Sequence, residues 1–145
     1  ASAIASAIIP KATLIKNIKA RIVRIVIPFN VFGLFLALFY LFLAEWLSSF
    51  LFNFETELST AIFQALSVLI ILRYMTASLG ATLMVCGKQL IRAKVNVVAN
   101  VFSIAIGVVY IRSIEDALIV VVMSQIFVLV VYAYFCRRLY DTSSN

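Results

Sequence analysis

Three uncharged apolar runs constrain this chain more than any other feature. Residues 25–44 and 117–136 each run 20 residues without a charge, and residues 95–111 run 17. As helices rising about 1.5 Å per residue, such runs match the roughly 30 Å hydrocarbon core of a bilayer. A fourth block, residues 58–86, is uncharged apart from Arg73. Composition points the same way: 65% of residues are hydrophobic and 12% charged. Soluble domains carry about 25% charged residues, and so few polar side chains leave a soluble core of this size uncovered. The expected fold is all-α, a polytopic membrane helix bundle of about four transmembrane helices.

Charge sets the orientation. Lys11, Lys16, Lys19, Arg21 and Arg24 precede the first span, and the link after it has no Lys or Arg. The next link has Lys88, Arg92 and Lys94, the following one Arg112, and the tail Arg137 and Arg138. Basic residues mark cytosolic segments, so the alternation predicts four crossings with both termini in the cytosol. The short links at 87–94 and 112–116 predict antiparallel neighbours. The formal net charge of +6 then serves orientation and contact with anionic membrane lipids, and no nucleic-acid partner is expected.

Residues 1–24 read as the end of a preceding helix (ASAIASAII) followed by a basic interfacial connector. Ile15, Ile18, Ile22 and Ile25 share one helical face, with Lys16, Lys19, Arg21 and Arg24 around the remainder. No basic segment precedes the first apolar stretch, which argues against a signal peptide. Pro28 falls in the first turns of the first span, where its missing N–H costs little. Residues 25–138 form the bundle and 139–145 a cytosolic tail. The chain reads as the C-terminal part of something longer.

Little here supports covalent chemistry. Histidine is absent, and Glu45, Glu55, Glu57, Glu115, Asp116 and Asp141 all avoid the span centres. That leaves no proton relay, acid–base pair or activated nucleophile. Cys86 and Cys136 lack metal-ligand spacing and read as reduced packing residues. No enzyme activity, metal or cofactor is expected.

Arg73 is the informative residue. A cation at the bilayer centre costs at least about 2.5–3.5 kcal/mol unless a cavity or partner receives it. Its guanidinium matches a phosphate. The alternatives are a structural ion pair, or a second span split into two half-segments with Arg73 near an interface. In the third span Asn96, Asn100, Ser103 and Gly107 form a polar stripe, which lines a hydrated path or, as the commoner use, packs against another helix. Asn30, Gly33, Ala37, Ala44 and Ser48 form a small-residue packing face on the first span. Thr76 and Gly80 share the face of Arg73, while Thr60, Gln64 and Ser67 lie on another. The fourth span offers Ser124 and Gln125 at mid-depth. The candidate substrate-binding residues are Arg73, Asn96 and Asn100.

The order of segments carries a resemblance. AIIPKATLI (7–15) leads into the basic connector and a Phe/Leu-rich span, then LFNFETELSTAIFQALSVLIIL (51–72), then ASLGATLMVCGKQLIRAKVNVVANVFSIAIGVVYI (77–111), then a last span and a basic tail. This resembles the C-terminal part of a polysaccharide flippase of the O-antigen or teichoic-acid type, in the multidrug/oligosaccharidyl-lipid/polysaccharide exporter superfamily. The best parts are residues 10–24 and 83–100, with Leu83, Cys86, Gly87, Lys88, Arg92, Lys94, Asn96 and Asn100. The chain departs from the pattern at Asn53, where a glycine is usual, and at residues 113–117, which read SIEDA. The resemblance implies a two-lobed parent whose N-terminal lobe is missing here. It also implies alternating access in a bacterial inner membrane, with a lipid-linked oligosaccharide as substrate. The alternatives are a four-helix accessory or assembly subunit and a multidrug exporter of the same superfamily.

Overall fold

The computed structural model describes residues 9–10, 17–52 and 57–142. The helix end at the start of the chain, Ile15 of the interfacial face, and Asn53 therefore lie outside the described residues, apart from residues 9–10, which are helical. Among the described residues four long helices make up the bundle: α1 (Ile18–Phe52), α2 (Glu57–Val85), α3 (Gln89–Tyr110) and α4 (Ile114–Thr142). Each contains a stretch long and apolar enough to cross a bilayer. The chain is a multi-pass membrane protein, and its exposed surface fits that solvent. Of α3's 22 residues only Ala99 is buried, and Val108, Val109 and Phe102 stand open. Lipid covers such a surface at no cost, whereas water would drive it to aggregate.

Charge separates residues 1–24 from the first span, but α1 is continuous across that boundary. Asn17 caps it, its Oδ1 accepting from the Lys19 N–H at 2.9 Å. At 35 residues α1 is about 52 Å long, so one rod holds both an interfacial stretch and a span. Pro28 therefore lies inside the helix, not in its first turns, and removes the hydrogen bond that the Arg24 carbonyl would accept.

The links are shorter than the charge pattern implies. Gly87 adopts φ +74°, a left-handed conformation open to glycine at little cost. Gly87 N–H donates to Met84 O at 3.0 Å and Lys88 N–H to Leu83 O at 2.8 Å. This glycine-based C-cap ends α2, and α3 begins at Gln89, so Arg92 and Lys94 lie on a helix, not in a loop. The α3–α4 link is closed by Ser113 and Asp116. Asp116 N–H donates to Ser113 Oγ, and Ser113 N–H donates to Asp116 Oδ2, both at 3.1 Å. This reciprocal capping box starts α4.

α1 packs along α2, α4 packs on α2 and α3, and α2 touches α3 more lightly. The expected packing face of α1 is confirmed at Ala37 and Ala44, both buried. It is confirmed also at Gly33, where a Cβ would meet Tyr74 Cγ at 2.8 Å. Of the two buried clusters, Ile25–Phe29–Ala81 lies toward the basic ends of its helices, and Leu83–Ala99–Val128–Tyr132–Cys136 runs from that end to the middle of α3 and α4. The basic ends also meet directly: Arg21 Nη1 donates to Val85 O at 3.3 Å, and Lys19 Nζ sits 4.6 Å over the Tyr140 ring.

Candidate functional site

α2 is one unbroken helix, which removes the reading of two half-segments. Arg73 stands 11 residues from Ile62 and 12 from Val85 at the ends of its span, about 17 Å from either. It is exposed, and among the described residues it has no ion-pair partner.

Arg73, Asn96 and Asn100 line a single cavity of about 390 Å³ between α2, α3 and α4. Thr76 and Gly80 of α2 join them, with Ser124 and Gln125 of α4. The helical face read from α2, the upper part of the α3 stripe and the mid-depth pair of α4 thus converge on one space. The stripe does not act as a packing face as a whole. Asn96 and Asn100 are exposed, Ser103 turns its hydroxyl back to Ala99 O at 2.7 Å, and a Cβ on Gly107 would meet only Ile111 of the neighbouring turn.

Two further residues complete the cavity, Arg92 and Tyr132. Tyr132 is 2% exposed, and its hydroxyl lies 2.8 Å from Asn96 Oδ1 and 3.2 Å from Arg92 O. Arg92 Nη1 contacts the Met84 sulfur. Gly80 makes room for both: a Cβ there would lie 3.2 Å from the Tyr132 ring and 3.4 Å from Arg92 Nε. Sequence reasoning puts Arg92 in a loop and passes over Tyr132. The signal for Arg92 is present all the same, because Arg92, Asn96 and Asn100 follow one another at four-residue spacing on one face. Nothing in the sequence marks Tyr132.

Among the described residues two guanidinium groups and no carboxylate line the cavity, so its field favours an anion. Thr76 spends its hydroxyl proton on Leu72 O at 2.7 Å, which leaves Asn96, Asn100, Ser124 and Gln125 as the neutral polar groups. Arg73 and Gln125 also wall a second space of about 380 Å³, lined by Tyr40, Leu66, Leu69, Ile70 and Val121. Toward the acidic end, α3 and α4 enclose an apolar groove of about 590 Å³, bounded by Phe102, Ile106, Tyr110, Ile119, Met123 and Phe127. Ala99 and Ser124 border both this groove and the polar cavity.

Among the described residues no set of three metal-ligating side chains comes together. Cys86 and Cys136 are free thiols, and the buried Cys136 points at Leu79 O, 3.7 Å away. No protein-family model matches this chain, and no curated protein or solved structure matches it either.

Proposed function

We propose that this chain is part of a membrane transporter that flips lipid-linked oligosaccharide or polysaccharide repeat units across the bacterial cytoplasmic membrane by alternating access. The observation that carries the reading is the position of Arg73. It stands at mid-depth, opens into a polar cavity and has an apolar groove next door. A lipid-linked sugar divides in the same way, into a phosphate head and a long apolar tail. The head meets Arg73 and Arg92, with Asn96 and Asn100 as donors and acceptors for phosphate or sugar. The tail lies between α3 and α4. In such a transporter an N-terminal lobe would complete the cavity. No step requires a bond to be made or broken by the protein, and no cofactor enters the scheme.

A multidrug exporter of the same superfamily would need to hold an organic cation, and two guanidinium groups repel one. An accessory or assembly subunit would gain nothing from a cation at mid-depth, where an apolar residue serves packing better.

The test is equilibrium binding of a radiolabelled polyprenyl-pyrophosphate sugar to the chain in lipid nanodiscs. Arg73→Ala weakens binding by about tenfold or more, the range of a lost charge-assisted hydrogen bond, and Arg73→Lys weakens it less. Unchanged lipid binding in Arg73→Ala, together with saturable binding of a cationic dye, would move the assignment to drug export.

A further inference from the structure

At the basic end of the bundle, the first turn of α3 and the last turns of α4 enclose another cavity, separate from the one around Arg73. Its volume is about 230 Å³, and Lys88, Ile91, Phe135, Arg138 and Leu139 line it. That is room for about seven or eight waters, enough for a phosphodiester. Its makeup is divided: among the described residues it has two cations, three large apolar side chains and no acid.

Three features turn this cavity from a patch into a site. Phe135 and Leu139 pack against the buried cluster of Leu83, Ala99, Val128, Tyr132 and Cys136, so its wall is held by packed core. Lys88 is the N-cap of α3 but makes no side-chain capping hydrogen bond, and the first turn of α3 has no acid. The N–H groups of that turn therefore add to the positive potential of the two side chains. Finally, its depth is defined. The apolar stretch of α3 starts at Gln89, and Arg138 lies three residues before the end of the α4 stretch at Asp141. Both cations thus stand where lipid headgroups lie.

We propose that this cavity binds the headgroup of an anionic phospholipid from the leaflet at the basic end. Lys88 and Arg138 hold the phosphate, and Ile91, Phe135 and Leu139 hold the start of an acyl chain. A soluble anion would use the cations and leave the apolar wall empty. A zwitterionic lipid would bring its own cation against two others. Basic pockets between transmembrane helices favour anionic headgroups for these reasons. The site does not depend on what the Arg73 cavity carries.

The test is native mass spectrometry of the whole chain with equimolar phosphatidylglycerol and phosphatidylcholine. The unmodified chain retains phosphatidylglycerol about tenfold over phosphatidylcholine. Lys88→Gln/Arg138→Gln loses that preference. Arg24→Gln/Lys94→Gln keeps it, although it removes the same charge from exposed positions at the same end. Lys88→Arg/Arg138→Lys also keeps it, which separates a lost site from a lost fold. Equal loss in the two Gln pairs would reduce the effect to net charge and overturn the site. So would equal retention of the two lipids by the unmodified chain. Protection of Lys88 from amine labelling by inorganic phosphate alone, as complete as that by phosphatidylglycerol, would overturn the lipid assignment.

Discussion

The Tyr132 hydroxyl lies 2.8 Å from Asn96 Oδ1, joining α4 to α3 at the basic side of the polar cavity. One of these residues is an exposed candidate ligand and the other is buried core, so the site and the fold share this bond. Tyr132→Phe keeps the ring and removes the tie. It should cost about 1 kcal/mol in unfolding, the net worth of a hydrogen bond. Tyr132→Ala also leaves a void beside Gly80 and should cost about 3–5 kcal/mol. Unfolding in mixed micelles checks both. Equal losses for Phe and Ala would show that the ring contributes nothing.

α1 approaches α2 closely at Gly33. Gly33→Ala puts a methyl against Tyr74, near the root of a side chain that cannot swing away. The helices must separate, at a cost of about 1–3 kcal/mol. Gly107→Ala meets only the tip of Ile111 at 3.2 Å and should be close to neutral. Cross-linking yield between cysteines placed on α1 and α2 reads the first, and unfolding reads both.

α4 starts on the capping box. Asp116 Oδ2 accepts from the N–H groups of both Arg112 and Ser113 at 3.1 Å. Asp116→Ala should cost about 1–2 kcal/mol, and Ser113→Ala about 1 kcal/mol. Hydrogen exchange should quicken in residues 112–117 and stay slow around Tyr132. Uniform quickening through α4 would mean that the cap governs the whole helix.

Burial pushes the Cys86 thiol above its ordinary range, and the nearby Arg21 guanidinium pulls in the opposite direction. The thiolate is the reactive form, so Cys86 should alkylate more slowly at pH 8 than an exposed cysteine. Arg21→Gln should move the midpoint of its pH–rate profile further up, because the cation that favours thiolate is gone. A downward move would mean that access, not charge, controls the thiol.

The span count is legible in the sequence, and so are the faces that carry Arg73, Thr76 and Gly80 on α2 and Asn96 and Asn100 on α3. The small-residue seam at Gly33, Ala37 and Ala44 is equally plain. Such faces follow from helical periodicity, a local property. Boundaries are less legible. Charge at Arg92 and Lys94 makes the basic link look longer than it is, because long cationic side chains reach the interface from within a helix. The spacing of Ser113 and Asp116 fits a capping box, yet beside the flippase pattern the same segment stands out only as a departure.

The sequence alone determined that this chain lives in a bilayer and which residues stand along each helix, because hydrophobic length and helical period act within one segment. Only the tertiary structure decided that the faces of α2, α3 and α4 meet around one cavity. It alone brought Tyr132 of α4 to Asn96 of α3, and Lys88 to Arg138 around the cavity at the basic end. Each of these depends on the rotation of one helix about its axis relative to another. That rotation is set by packing at Gly33, Gly80 and Ala99, contacts between residues distant in the chain that no local pattern encodes.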